Sequence, residues 1–331
     1  MNPQSSPYVS VITKHIGAGI LGDIYGLEDI SKTCTSITCL WLLHGRSFSK
    51  EQMKPFATRC LKSWTQRAPA DSEIGLIAVA IDQRNHGTRL VYEPANGSWR
   101  DGNETHAHVF HGTATDTSLL IDHLGSYIFR FSDAPVITQH FSLGFSLGGH
   151  ASWQLFFNEP RVTASVVIVG CPDYACIMSD RARLSKRETS VASTGTNFFG
   201  SEDFPQALVA SVQKYDPKGM LFGASDVECH PSASERKRLR GQLDAKIKNK
   251  RLLLCSGAVD RLVPYHCAEP FIGFLKTATT GWYEDGSVYV EDNVYEGVGH
   301  EYTEAMIVDI TRFISDSIAG SVDSTKAASK I

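Results

Sequence analysis

The run Gly144-Phe145-Ser146-Leu147-Gly148-Gly149 carries the spacing in this chain best suited to covalent chemistry. A serine with glycines two residues away on each side fits a sharp strand-to-helix turn, because a Cβ at those positions would crowd the backbone. Such a turn lifts the hydroxyl clear of a sheet in a strained conformation. It also sets the hydroxyl at a helix N-terminus, where the positive end of the dipole favours an anion. The chemistry implied is nucleophilic attack by Ser146, which requires a base to take its proton.

The chain has twelve histidines, and chain order selects among them. On a parallel α/β sheet with its nucleophile at such a turn, the partners follow as serine, acid, histidine. Residues 252–260, Leu-Leu-Leu-Cys-Ser-Gly-Ala-Val-Asp, read as a strand, a glycine turn and then a carboxylate, which points to Asp260. Its simpler role would be a cap before Val263. Beyond it stand His266 and His300. His266 follows Asp260 too closely, in the helix opened by Pro264. His300 sits in the glycine-hinged loop Gly297-Val298-Gly299-His300-Glu301 between the last strand and the last helix, and is expected as general base; capping that helix is the alternative. The oxyanion requires two donors. The expected ones are the backbone N–H groups of Leu147 and Arg46, with Ser47 as alternate to Arg46. Arg46 lies in the turn Leu43-His44-Gly45-Arg46-Ser47, and the His44 ring is expected to brace that turn.

Other groups are expected to be structural. His150, just past the nucleophile, should point into packing. The loop Asp82-Gln83-Arg84-Asn85-His86-Gly87 should be pinned by arginine–carboxylate pairing. His106, His108 and His111 lack cysteine or carboxylate partners at ligand spacing, so no metal is expected. The run 236–251 reads as an amphipathic helix with Leu239, Leu243 and Ile247 inward and a basic face to solvent; docking of thioester phosphates on that face is a lesser alternative.

The elements that position these residues follow from apolar runs. Strands are expected at 37–43, 74–81, 136–143, 162–169, 251–255 and 288–295, and helices at 48–67, 117–131, 148–157 and 303–318. In the helix at 117–131, Leu119, Leu120, His123 and Leu124 are expected to share a stripe. Alternating strands and helices predict a mostly parallel sheet flanked by helices in a single domain. The pattern breaks at 171–249, which reads as a helical lid inserted between two strands, with Phe198, Phe199, Phe204 and Leu208 as either pocket wall or lid core.

With 331 residues, 42% apolar and 21% charged, the composition is that of an ordinary globular chain. A net charge of −4 removes any case for bulk electrostatic binding to nucleic acid or an anionic membrane. No stretch is long and apolar enough to suggest a membrane span. Eight cysteines without a CxxC pair read as reduced thiols in an intracellular protein, and the first residues lack the pattern of a secretory signal. Residues 319–331 read as a mobile tail ending in Ser329-Lys330-Ile331, one conservative change from a peroxisomal address. The expected location is therefore the peroxisome, with an import receptor as partner and the cytoplasm as alternative.

From about residue 35 to 318 the chain resembles the α/β-hydrolase superfamily, through His44-Gly45, the Asp82–Gly87 loop, Gly144–Gly149, Gly257–Pro264 and Gly297–His300. The superfamily implies no cofactor. Phe145 departs from the histidine that many lipases and esterases carry there. Gly170-Cys171-Pro172-Asp173-Tyr174, Lys214-Tyr215-Asp216-Pro217 and the Ser-Lys-Ile ending are similar to the peroxisomal fungal hydrolases of Alternaria-type host-selective toxin biosynthesis. That likeness implies a polyketide or decatrienoic-acid-derived ester or thioester as substrate. The expected reaction is acyl transfer to water through an acyl-enzyme on Ser146. A peroxisomal acyl-CoA thioesterase is the alternative, and a ligand-binding protein that keeps the fold is the non-enzymatic one. Epoxide opening on this fold would want an aspartate at position 146.

Overall fold

The computed structural model describes residues 9–17, 19–69, 71–99, 111–129, 134–191 and 198–328. Its strands are β1 (Val11–His15), β2 (Leu21–Tyr25), β3 (Ser36–Leu43), β4 (Ile74–Ile81), β5 (Val136–Phe145), β6 (Val162–Ile168), β7 (Arg251–Gly257) and β8 (Tyr289–Tyr295). They form one sheet in the order β1-β2-β4-β3-β5-β6-β7-β8. β1 and β2 pair antiparallel with each other, and β2 with β4; the other pairings are parallel. The β1–β2 hairpin has no counterpart in the sequence expectations, because its strands are short and β1 alternates exposed and half-buried residues at the sheet edge.

The helices are α1 (Lys54–Arg67), α2 (Gly112–Ile128), α3 (Leu147–Asn158), α4 (Tyr174–Leu184), α5 (Glu188–Val191), α6 (Gln206–Tyr215), α7 (Pro217–Phe222), α8 (Ala233–Lys246), α9 (Tyr265–Thr279) and α10 (Glu304–Ala328). Strand residues alternate between the two faces. Leu40, Leu42, Phe141, Leu143 and Leu253 pack on α1 and α10. Trp41, Leu43, Val79 and Ile81 pack on α2 and α3. Val167, Leu252 and Leu254 pack on α3, α8 and α9. With both faces covered, the central strands read as unbroken apolar runs, which is why their ends were legible to within a residue or two.

In α2 the buried stripe is Leu120, Ile121, Leu124 and Ile128, whereas Leu119 is exposed. The helix starts at Gly112, ahead of the expected 117, and its register presents the neighbouring stripe. α10 runs on to Ala328, past the expected end at 318. Ser329, Lys330 and Ile331 lie outside the described residues.

Five helices, α4 to α8, stand between β6 and β7. They do not form one body over the sheet. α8 buries Leu239 and Leu243, and Ile247 just beyond it, against the sheet-covering layer with α3 and α9. A separate small core gathers Met178, Ala182, Phe198, Phe204, Leu208 and Val212 with Trp99. Two sequence segments meet at the base of this excursion. Tyr174 N–H donates to Asp216 Oδ1 (3.1 Å), and Lys218 N–H donates to the Pro172 carbonyl (3.0 Å). Asp173 caps α4 through Cys176 N–H, and Asp216 caps α7 through Gly219 N–H. All eight cysteines are free thiols. Among the described residues no helix is long and apolar enough to cross a membrane.

Candidate active site

Parallel strands deliver their loops to one edge of the sheet, and the candidate residues all follow carboxyl ends: Arg46 after β3, Ser146 after β5, Asp260 after β7 and His300 after β8. Ser146 has φ 54° and ψ −113°, a conformation that costs a non-glycine residue about 1–3 kcal/mol. The surrounding packing holds it there. Its N–H donates to the Ile168 carbonyl (2.9 Å), and its carbonyl accepts from His150 N–H (3.0 Å). The flanking glycines are required by contact. A Cβ on Gly144 would lie 1.9 Å from the Gly148 carbonyl oxygen, and one on Gly148 would lie 1.9 Å from that of Leu43.

The structure brings Ser146, His300 and Asp260 together. His300 Nε2 lies 2.7 Å from Ser146 Oγ, and His300 Nδ1 lies 2.7 Å from Asp260 Oδ2. The other oxygen of Asp260 accepts from the backbone N–H groups of Leu262 (2.8 Å) and Val263 (2.9 Å). The two readings of Asp260, orienter and cap, are therefore both realised, one per oxygen. Because Asp260 accepts from Nδ1–H, Nε2 is left free to accept from Ser146. The last helix does not use His300 as a cap: the Thr303 hydroxyl oxygen accepts from Met306 N–H (3.3 Å).

The turn after β3 lies against the nucleophile. A Cβ on Gly45 would sit 3.5 Å from Ser146 Cβ, and Ser47 takes a left-handed φ of 63° to close the turn. His44 is fully buried and braces it. Its Nδ1–H donates to the Gly45 carbonyl (2.7 Å) and its Nε2 accepts from Gln83 N–H (3.0 Å). Burial pushes its pKa down to about 4, so the ring is neutral. The 82–87 loop is pinned by arginine–carboxylate pairing, as expected, with the carboxylate supplied from outside the loop. Arg84 and Arg89 both hold Asp116 of α2, while Asp82 accepts from Lys50 N–H and Thr88. Gly87 is obligatory there: its φ is 49°, and a Cβ would lie 2.2 Å from Asp82 Oδ1.

Arg46, Leu147, Ser146 and His300 line one cavity of about 70 Å³ together with His86, Asn96, His150, Tyr174, Met178, Arg181 and Leu262. His150 thus reaches the cavity rather than only packing. Its Nδ1 accepts from Cys171 N–H (3.1 Å), and burial, with Arg181, His300 and Arg46 nearby, pushes its pKa down to about 4. Phe198, Phe204 and Leu208 lie one layer behind, in the small core of the excursion, and Phe199 is exposed. Phe145 faces away from the cavity, in contact with Phe48, Tyr302 and His300 rings. Arg181 and the Arg46 guanidinium are the site residues that sequence reasoning missed, since nothing in spacing tells an inward-turned arginine on α4 from a solvated one. Among the described residues no cluster of His, Cys, Asp or Glu could hold a metal; His111 stacks on Tyr215, and His106 and His108 lie outside the described residues.

No protein-family model and no curated protein sequence matches the chain. Solved structures do. TT1662 from Thermus thermophilus aligns over 93% of this chain and 98% of its own, with a TM-score of 0.51 and 18% identity. The Pyrococcus furiosus esterase Pf2001 aligns over 93% and 92%, at 0.51 and 14%. Pyrococcus horikoshii acylaminoacyl peptidase aligns over 93% of this chain and 40% of its own, at 0.52 and 14%. At such identities the likeness speaks for architecture alone. With its mostly parallel eight-stranded sheet flanked by helices, the chain has the α/β-hydrolase fold.

Proposed function

We propose that the chain is a serine hydrolase that cleaves a carboxylic ester or thioester. The observation that carries this reading is the continuous hydrogen-bond path Ser146 Oγ–His300–Asp260, with both links 2.7 Å, opening on a cavity. Ser146 Oγ attacks the acyl carbon while His300 Nε2 takes its proton. The negative charge on the carbonyl oxygen is held by the N–H groups of Leu147, at the start of α3, and Arg46, in the turn against Ser146. Asp260 keeps the imidazole in the accepting tautomer and stabilises the imidazolium. His300 then gives its proton to the leaving group. Water, deprotonated by His300, releases the acyl group and restores Ser146. No cofactor takes part in these steps.

The test is covalent labelling by a fluorophosphonate, expected for the wild type and absent in Ser146→Ala. An unlabelled, folded wild type would refute the mechanism and favour a ligand-binding protein on this fold. The alternative of an acyl-CoA thioesterase draws support from the exposed basic residues of α8, and kcat/KM for an acyl-CoA against its matched oxygen ester separates the two. The narrower reading, a role in fungal toxin biosynthesis inside the peroxisome, rests on the sequence likeness and on Ser329-Lys330-Ile331 as the import signal. An N-terminal fluorescent fusion should be punctate and become diffuse when those three residues are removed; diffuse signal from both would sink it.

A further inference from the structure

Arg46 and Arg181 come to the cavity from different elements, one from the turn after β3 and the other from α4. The two guanidiniums differ in their partners from most arginines of the chain. Arg84, Arg89, Arg161, Arg187 and Arg312 each hold a carboxylate. Among the described residues Arg46 and Arg181 hold none. Arg46 Nη1 donates to the Gly97 carbonyl at 3.5 Å, the outer limit of a hydrogen bond, and Arg181 Nη2 donates to the Leu262 carbonyl at 3.0 Å. A guanidinium carries five N–H donors, so most of each fork is uncommitted. Both groups are half-buried, where an unbalanced charge is costly.

The charges also feel one another. Burial, and then the Arg46 charge, draws the Arg181 pKa below its ordinary value. His150, also on the cavity wall, is kept neutral. Two like charges held in one cavity, with no carboxylate among its described lining residues, make a site that a bound anion would relieve.

We infer that Arg46 and Arg181 form a recognition site for an anionic oxygen group of the substrate, a carboxylate or a phosphate, held in the same cavity as the acyl carbon that Ser146 attacks. The placement follows from the two arginines lining one cavity with Ser146 and His300. It makes the substrate an acidic ester or thioester, with the charge on either its acyl or its leaving side. The phosphates of a CoA thioester are too remote from the sulfur to serve. The Arg46 side chain acts here, while its backbone N–H belongs to the oxyanion step. This inference rests on the proposed hydrolase reading and adds the charge of the substrate to it.

The test compares charged and neutral esters of like shape. On the leaving side the set is 4-acetoxybenzoate, 4-acetoxyphenyl phosphate and methyl 4-acetoxybenzoate. On the acyl side it is ethyl hydrogen succinate and ethyl levulinate. The readout is the ratio of kcat/KM for the charged ester to that for the neutral one, in which the intrinsic reactivity cancels between enzymes. In at least one set Arg181→Met and Arg46→Met should each lower this ratio by about 10- to 100-fold, the worth of a charged hydrogen bond. Arg181→Lys should retain more of the ratio than Arg181→Met. Whichever anion shows the larger fall identifies the group recognised. Succinate or inorganic phosphate should also slow fluorophosphonate labelling of wild-type Ser146, a readout that needs no variant.

Ratios unchanged in both sets, in variants whose Ser146 still labels, overturn the anion site and leave the hydrolase standing. Labelling of the wild type that neither anion slows counts against it equally. A wild type that neither labels nor cleaves any of the esters overturns the hydrolase reading itself.

Discussion

Asp260→Asn isolates one oxygen of a carboxylate that does two jobs. In the wild type Oδ1 accepts the N–H groups of Leu262 and Val263, and Oδ2 accepts from His300 Nδ1. Asparagine has one acceptor and one donor to share between these places. If its amide NH₂ faced the two backbone N–H groups, both would lose their acceptor and that of Val263 would be left unsatisfied and buried, at a cost of roughly 1–3 kcal/mol. Keeping the oxygen there sacrifices a single contact, so the NH₂ turns to His300. It then donates to Nδ1, which drives the imidazole proton to Nε2, the nitrogen that must accept from Ser146. A wrongly protonated base at this point costs on the order of 10⁴-fold in kcat, about 5 kcal/mol of barrier. The fold should barely respond, because the cap on Leu262 and Val263 survives. The assay is kcat for a neutral 4-nitrophenyl ester, together with the thermal midpoint. Asp260→Ala, which loses the cap as well, should fall in both. An Asp260→Asn enzyme that keeps more than a tenth of wild-type kcat would refute the reasoning about the tautomer.

Two further perturbations test the scaffold. Gly148→Ala should cost about 3 kcal/mol or more, since its Cβ would fall within 2 Å of the Leu43 carbonyl oxygen. Gly125→Ala, with open space on α2, should instead gain about 0.5–1 kcal/mol; chemical denaturation of both variants checks the contrast. His140 is buried, accepts from Trp41 Nε1–H, and has its pKa pushed down to about 4, first by burial and then by Arg161. The unfolded chain, with an ordinary value near 6.5, takes up that proton first as pH falls, so stability is lost between about pH 6.5 and 4. His140→Asn keeps an acceptor for Trp41 and should flatten that loss by up to about 3 kcal/mol; unfolding of the variant that follows the wild-type pH slope would exclude this role.

Much of the site was legible before the fold. Strands buried on both faces leave continuous apolar runs, and the glycines around Ser146 are dictated by backbone contacts that admit no Cβ. Chain order then left Asp260 and His300 as the partners. The N-terminal hairpin was not legible, because short edge strands carry little pattern. The α2 stripe was displaced for a different reason: neighbouring residues on an apolar helix compete closely until the packing partner chooses among them.

What the sequence determined alone was local chemistry and order: which serine sits in a turn that tolerates no Cβ, and which acid and histidine follow it. The tertiary structure decided how those groups share work. It showed Asp260 spending one oxygen on the backbone and the other on His300. It drew residues 172–174 and 216–218 together at the base of the excursion, and it set Arg46 and Arg181 around one cavity with Ser146. Periodicity and spacing report neighbours along the chain. An arginine that turns inward on α4 leaves no mark there, because its surroundings are set by loops that are distant in sequence and joined only by the folded sheet.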